Sequence, residues 1–150
     1  MEPLYFEDFE PGRKFATAGK TISEAEILEF ALKYDPQPFH MDREAAKNSI
    51  YGGLIASGIQ TLAVALRLII QRGVLCESSL GSPGIDELRW LKPVRAGDTL
   101  RVVVEVAEAR RSSSKPDRGI VVLRYECLNQ MDEVVMTVRV PQMVRARSAG

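Results

Sequence analysis

One stretch of the chain is apolar on nearly every side when it is drawn as a helix. Ser57-Gly58-Ile59-Gln60 has the Ser-x-x-Gln spacing of a capping box, which predicts a helix start. The apolar residues of this stretch are Ile59, Leu62, Ala63, Val64, Ala65, Leu66, Leu68, Ile69 and Ile70. Gly73 suits the left-handed residue that ends many helices. Because a helix that is apolar all round belongs in an interior, the rest of the chain must cover it.

The second half of the chain supplies strands for that cover. Apolar residues alternate with more polar ones at Leu100, Val102, Val104 and Val106, and again at Val121, Leu123, Tyr125 and Cys127. This alternation is typical of half-buried strands, and further strands are predicted over residues 85–91 and 134–144. We expect Trp90 and Tyr125, on these strands, in the core or in an interface.

Together these patterns predict the class of fold. A buried helix and several antiparallel strands give an α+β fold, in which a curled antiparallel sheet wraps around a long central helix. A single sheet over one helix leaves its edges open. Pairing of those edges across a two-fold axis removes them, so we expect a homodimer or a larger assembly built from dimers.

The first half of the chain carries shorter elements. A first strand is expected over residues 14–21. Ser23 and Glu26 form a second capping box ahead of apolar residues at helical spacing, which predicts a helix over residues 23–34. Pro36 disfavours helical geometry in the residue before it, so this helix should end at residue 35.

Length and composition limit what else the chain can be. With 150 residues it is expected to form one domain over 1–150, with a frayed tail at about 146–150. Its 20 basic and 20 acidic residues balance, which argues against nucleic acid or a membrane surface as its main partner. An acidic N-terminal segment without an apolar core and two widely spaced cysteines, Cys76 and Cys127, suggest a cytoplasmic protein with buried thiols.

The only histidine lies in the segment Asp35-Pro36-Gln37-Pro38-Phe39-His40, which should be an irregular link before a short helix that Asp42 can cap. The two prolines fix two backbone dihedrals and can hold Asp35 and His40 in place. An Asp and a His that share one water can act as an acid–base pair near neutral pH. A histidine bonded to a backbone carbonyl is the alternative. A metal site is not expected, because there is no second histidine and the cysteines have the wrong spacing.

Ser57 and Gly58 suggest a second half to such a site. Ser57 would be the nucleophile of a Ser-His-Asp triad by composition alone, but its surroundings are not a Gly-x-Ser-x-Gly elbow, so a helix cap is the better interpretation. A capping Ser57 would engage the second or third N–H of the helix and leave the Gly58 N–H unpaired. That N–H, at the positive end of the helix dipole, can stabilise an oxyanion. Alternatively, Gly58 only permits close packing of the helix.

Three motifs resemble one family: residues 35–40, then Gly53-Leu54-Ile55-Ala56-Ser57-Gly58, then the Trp90-Leu91-Lys92-Pro93-Val94-Arg95-Ala96-Gly97-Asp98 stretch. They are similar to the MaoC-like dehydratases, the hot-dog-fold (R)-specific enoyl-CoA hydratases. The resemblance implies a lyase of fatty acid metabolism, which adds water reversibly and with syn geometry to a trans-2-enoyl thioester. It implies no separate cofactor, since coenzyme A or phosphopantetheine is part of the substrate.

The resemblance also implies residue roles. Asp35 and His40 would hold and activate the water, and the Gly58 N–H would bind the thioester carbonyl oxygen, with Ser57 and Gln37 as further substrate-side residues. Gln37 stands where the hydratases usually have Asn, and Ser57 where His is common, so these two positions bear on the substrate. A thioesterase on the same fold and a non-catalytic subunit that binds acyl thioesters are the alternative functions.

Overall fold

Residues 2–148 are the part of the chain that the computed structural model describes, and they form four α-helices and seven strands. The helices are α1 (Glu24–Tyr34), α2 (Pro38–Met41), α3 (Arg43–Lys47) and α4 (Gly58–Gln71). The strands are β1 (Lys14–Ala16), β2 (Lys20–Thr21), β3 (Ser79–Gly81), β4 (Asp86–Trp90), β5 (Thr99–Arg111), β6 (Arg118–Leu128) and β7 (Val134–Arg145). A 3₁₀ helix, Phe6–Asp8, precedes β1.

The sheet is antiparallel and curls around α4. Its main order is β1-β5-β6-β7-β3, with β2 also paired to β5 and β4 also paired to β7. Along β6, and along β5 as far as Val106, every second residue is buried, as the alternation predicted. The α+β prediction of a curled antiparallel sheet around a central helix is therefore confirmed. The expected first strand is divided into β1 and β2, because residues 17–19 lie between two separate pairings with β5.

The capping box of α1 is present as predicted. The Ser23 Oγ accepts from the Glu26 N–H at 3.1 Å, and the Glu26 carboxylate accepts from the Ser23 N–H at 3.1 Å. The helix ends where Pro36 requires, at Asp35, whose N–H donates to the Ala31 carbonyl. This places the Asp35 side chain at a fixed helix end.

The segment between α1 and α3 is less irregular than predicted. Residues 38–41 form the one-turn helix α2, so His40 lies on a helix and not on a loop. Pro38 is the first residue of α2, where its fixed φ and missing N–H suit a helix start. Asp42 caps α3 as predicted, because its Oδ1 accepts from the N–H groups of Glu44 and Ala45 at 3.0 Å.

Burial of α4 is one-sided in the single chain. One face of the helix packs into the core of the sheet, through Thr61, Val64, Ala65, Leu68 and Ile69. On the other face, Ile59, Leu66 and Ile70 are 51%, 43% and 46% exposed. A helix buried on every side is therefore wrong for one chain alone, because the curled sheet reaches only one face. Gly73, with φ 89°, ends the helix as predicted. No helix of the described chain is long and apolar enough to cross a membrane.

The expected second capping box is only half formed. Ser57 caps α4, but the Gln60 side chain does not reach back to the Ser57 backbone. Its Nε2 donates instead to the Glu26 carbonyl of α1 at 3.1 Å. Gln60 is buried, and this bond ties α4 to α1, which the spacing alone does not reveal.

The first two residues of the predicted frayed tail, Ala146 and Arg147, make contacts within the described chain. The Ala146 N–H donates to the Asp117 carbonyl at 2.8 Å, and the Arg147 guanidinium contacts the Asp8 carboxylate at 2.6 Å. Residues 149 and 150 lie outside the described chain. The prediction of two buried thiols holds for Cys127, and burial raises the pKa of its thiol to about 12. Cys76, in contrast, is exposed.

Candidate active site

The five predicted site residues come together in one pocket of about 530 Å³. The pocket lies where the end of α1, α2, the start of α4 and the end of β4 meet. Its lining includes Asp35, Gln37, His40, Ser57 and Gly58. The sequence therefore identified the correct neighbours, although they are separated by up to 23 positions along the chain.

His40 is buried, and each of its ring nitrogens faces a different group. Its Nδ1 lies 2.7 Å from the Ile55 carbonyl oxygen, and its Nε2 lies 3.3 Å from the Asp35 Oδ2. A carbonyl oxygen only accepts, so Nδ1 carries a hydrogen and donates it. The hydrogen bond to a backbone carbonyl that is expected of a structural histidine is thus present. It uses Nδ1, so Nε2 faces Asp35 and the pocket.

Both oxygens of the Asp35 carboxylate accept hydrogen bonds. Oδ2 accepts from the Ser57 hydroxyl at 2.6 Å, and Oδ1 accepts from the Gln37 side-chain amide at 2.7 Å. The pKa of the Asp35 carboxyl lies below its ordinary value, mainly because of the Ser57 hydroxyl and further because of the Gln37 amide and the charge of His40, while burial opposes the shift. Asp35 is therefore ionised at neutral pH.

Ser57 caps α4 as predicted. Its hydroxyl oxygen accepts from the Ile59 N–H, the second of the helix, at 3.3 Å. The same hydroxyl donates its hydrogen to Asp35 and not to His40. The order of a Ser-His-Asp triad is absent here, because a serine nucleophile has to give its proton to the histidine.

Gly58 opens α4 with a free donor. Its N–H finds no acceptor among residues 2–148, since the Ser57 hydroxyl is engaged with the next N–H along. Gly58 also packs closely, because a Cβ at this position would lie 2.6 Å from the Trp90 Nε1 and 2.8 Å from its Cδ2. The two interpretations of Gly58, as a free N–H and as a close-packing residue, are both met.

Trp90 is the residue of the pocket that the sequence did not assign. It was expected in the core or in an interface. It does not lie in the core of the described chain, since the residue is 48% exposed, and it lines the pocket. Its indole Nε1–H donates to the Gly58 carbonyl at 2.9 Å. The contact joins residues 32 positions apart. In the sequence, the absence of a side chain at Gly58 is the only local feature that indicates a close contact there. Tyr125 is buried in the core as expected.

The polar groups of the pocket are suited to moving protons and stabilising negative charge. They are a carboxylate, an imidazole and a backbone N–H at a helix start. The part of the chain that the structure describes holds no group of three or more His, Cys, Asp or Glu side chains placed to bind a metal ion.

An antiparallel sheet curled around a central helix is the architecture of the hot-dog class. The chain belongs to the MaoC-like domain family, whose sequence model matches residues 8–124. The crystal structure of the MaoC-like dehydratase from Rhodospirillum rubrum matches with a TM-score of 0.90 and 40% identity, and the match covers 97% of this chain and 99% of that one.

Two relatives carry named activities. The match to the (R)-specific enoyl-CoA hydratase of Rhodospirillum rubrum is 30% identical over 148 residues. It covers 95% of this chain and 93% of the relative. The match to the 3-hydroxybutyryl-CoA dehydratase of Methylorubrum extorquens is 32% identical over 155 residues. It covers 97% of this chain and 90% of the relative. Addition and removal of water are thus the reactions for which these members of the family are named.

Proposed function

We propose that the protein is a hydratase/dehydratase that adds water reversibly to a trans-2-enoyl thioester of coenzyme A or acyl carrier protein. The observation that carries this proposal is the Asp35–His40 pair, 3.3 Å apart, in the same pocket as the unpaired N–H of Gly58. The named activities of the two relatives support the reaction class.

Gly58 would bind the thioester. Its N–H donates to the thioester carbonyl oxygen, at the positive end of the α4 dipole. When water adds to C3, the C2=C3 electrons move onto that oxygen as an enolate. The hydrogen bond strengthens as this charge develops, so it stabilises the transition state more than the bound substrate.

His40 would move the proton. As the water oxygen bonds to C3, the proton of the water passes to Nε2, and the ionised Asp35 stabilises the imidazolium from 3.3 Å. Nε2 then delivers the proton to C2, the enolate collapses, and the product is a 3-hydroxyacyl thioester. Because one nitrogen takes and gives the proton, both new bonds form on one face of the double bond, which is syn addition.

The alternative functions are less well supported. A thioesterase would need a carboxylate free to activate water or attack the carbonyl, whereas both oxygens of Asp35 are engaged and its pKa is lowered, which weakens it as a base. A subunit that only binds thioesters would not need the Asp35–His40 contact.

We also propose that the protein acts as a homodimer. The exposed apolar residues Ile59, Leu66 and Ile70 of α4 lie beside a groove that Ile85, next to β4, also lines. Within the described chain, β4 pairs with β7 on one side and has an open edge on the other. A second copy would cover the apolar face and the open edge together.

A hydration assay tests the proposed function. Loss of enoyl absorbance is followed across trans-2-enoyl-CoA chain lengths, with free thiol measured in parallel. His40→Ala and Asp35→Asn should each lower kcat by about 10² or more, as expected for loss of acid–base catalysis. Met131→Ala, in an exposed turn, is the control. Near-normal turnover in either site variant contradicts the proposal. Both reactions lower the absorbance, so release of free thiol in proportion to the absorbance lost indicates the thioesterase, and loss of absorbance without free thiol indicates hydration.

A further inference from the structure

We propose that Trp90 is a positioning residue of this site, because its indole fixes the Gly58 peptide and so the direction of the Gly58 N–H. The inference rests on the proposed function for its kinetic effect, but the contact itself does not. Trp90 acts through Gly58 and need not touch the reacting atoms.

Gly58 is the first residue of α4 and has more conformational freedom than the residues that follow it. A glycine has no Cβ to restrict its φ and ψ, and the first residue of a helix is held by fewer hydrogen bonds than the interior. The N–H and carbonyl of Gly58 belong to successive peptide units, which those two torsions join. A bond that holds the carbonyl therefore also limits where the N–H can point.

Trp90 supplies that bond and a steric stop. Its Nε1–H donates to the Gly58 carbonyl at 2.9 Å, in addition to the place of that carbonyl in the first turn of α4. Its ring fills the space where a Cβ would stand, 2.6 Å from Nε1 and 2.8 Å from Cδ2. Only glycine allows the indole this close, so the residue with the free N–H is also the one that Trp90 can clamp.

The sheet anchors Trp90 in turn. Trp90 pairs with Met136 in the β4–β7 ladder, and the N–H of the next residue, Leu91, donates to the Val135 carbonyl at 2.8 Å. The restraint from Trp90 thus comes from β7, one of the long strands of the sheet. It adds to two bonds within the first turn of α4, the Ser57 cap and the Thr61 N–H, which donates to the Ser57 carbonyl at 3.1 Å.

The consequence for the reaction is specific. Loosening Gly58 weakens a hydrogen bond that matters most when the enolate charge has formed. The transition state is affected more than the bound substrate, so kcat falls while KM changes little. A residue that only formed a wall for the acyl thioester would change KM instead.

The sequence allows the Gly58 N–H to be observed alone. Ser57-Gly58 is the only Ser–Gly dipeptide in the chain, so ¹³C-carbonyl serine with ¹⁵N-glycine yields a single carbonyl-correlated amide signal, which is that of Gly58. Trp90 is the only tryptophan, so ¹⁵N-tryptophan gives one indole signal. In Trp90→Phe, which keeps a ring but loses the donor, the Gly58 signal should shift and its heteronuclear NOE should fall.

The kinetic experiment compares Trp90→Phe and Trp90→Ala with the wild type on crotonyl-CoA. Trp90→Phe should lower kcat by about 3- to 10-fold, the range expected for loss of one hydrogen bond, with KM within about twofold. Trp90→Ala should lower kcat further. Phe6→Leu is the matched control, because the Phe6 ring covers Gly119 in a similar way but does not line the pocket. It should leave kcat and the Gly58 signal unchanged.

Several outcomes would overturn the proposal. An unchanged Gly58 signal in Trp90→Phe would show that Trp90 does not restrain the Gly58 peptide. A change confined to KM would show that Trp90 only contacts the bound acyl thioester. A fall in kcat that accompanies loss of the dimer in light scattering makes Trp90 an assembly residue. Absence of hydratase activity in the wild type would contradict the proposed function, and the Gly58 signal would still decide whether Trp90 positions the peptide.

Discussion

The Ser57 hydroxyl donates a 2.6 Å hydrogen bond to the Asp35 Oδ2 and so joins the start of α4 to the end of α1. The same oxygen accepts from the Ile59 N–H, which makes it the cap of α4. One side chain therefore sets the carboxylate of the Asp35–His40 pair relative to the helix end that carries the free N–H. The two halves of the candidate site are a single connected network.

Replacement of Ser57 should affect stability and activity together. Ser57→Ala removes a helix cap and a buried donor to a carboxylate, and should lower the free energy of unfolding by about 1–3 kcal/mol. It should also lower kcat, because the Asp35 carboxylate loses one of the two side chains that donate hydrogen bonds to it. Urea unfolding and the crotonyl-CoA assay measure the two effects. Ser57→Thr keeps the hydroxyl and should recover most of both, whereas wild-type kcat in Ser57→Ala would show that the bond has no role in turnover.

Acid should remove the contribution of Asp35 to stability. The folded-state pKa of Asp35 lies below the ordinary value of 3.8, so the ionised form favours the fold. That stabilisation is fully present above the unfolded pKa and is lost as the pH falls below about 3.8 and through the folded pKa. Below about pH 5, urea unfolding should give a wild-type advantage over Asp35→Asn that shrinks toward pH 3. An advantage that grows on acidification would contradict this sign.

Gly58 and Trp90 should be coupled in stability. Gly58→Ala forces a Cβ against the indole and should cost about 1–3 kcal/mol through overpacking. In a Trp90→Ala background the Cβ has room, and alanine favours a helix over glycine, so the cost should shrink or change sign. A double-mutant cycle by urea unfolding measures the coupling, which should exceed about 0.5 kcal/mol. Additive effects would mean that the two residues do not restrain each other.

A charge on the exposed face of α4 should separate the proposed dimer. Ile70→Lys places an ammonium group in the apolar groove between α4 and the sheet, where a second copy would have to bury it. Size-exclusion chromatography with light scattering should give the mass of one chain for this variant and of two for the wild type. Leu32→Lys, on the exposed side of α1, should remain dimeric. A wild type with the mass of one chain contradicts the dimer directly.

The sequence predicted the parts of the fold that depend on local patterns. The Ser23–Glu26 box, the stop at Asp35 and the alternation of β5 and β6 each follow from a few neighbouring residues. The same holds for the Ser57 cap, which led to the unpaired N–H of Gly58. The roles of Asp35, His40 and Gly58 in a reaction remain predictions.

Contacts between distant elements could not be predicted in this way. Gln60 has the spacing of a capping box, but a carbonyl of α1 offers a tertiary partner, and that contact prevails. The indole of Trp90 reaches Gly58 only because the end of β4 passes the start of α4. Apolar periodicity says that α4 avoids water but not which element covers each face, so its one-sided burial was not foreseen.

That one-sided burial links the stability of the fold to the amount of protein in solution. If the residues that complete the cover of α4 belong to a second copy, folding and association share one equilibrium, and mass action applies to both. The temperature of half-unfolding should then rise with protein concentration and fall on dilution, whereas for a self-sufficient monomer it would stay constant. A chain that is newly made and still scarce would be at its least stable, with its apolar helix face toward water.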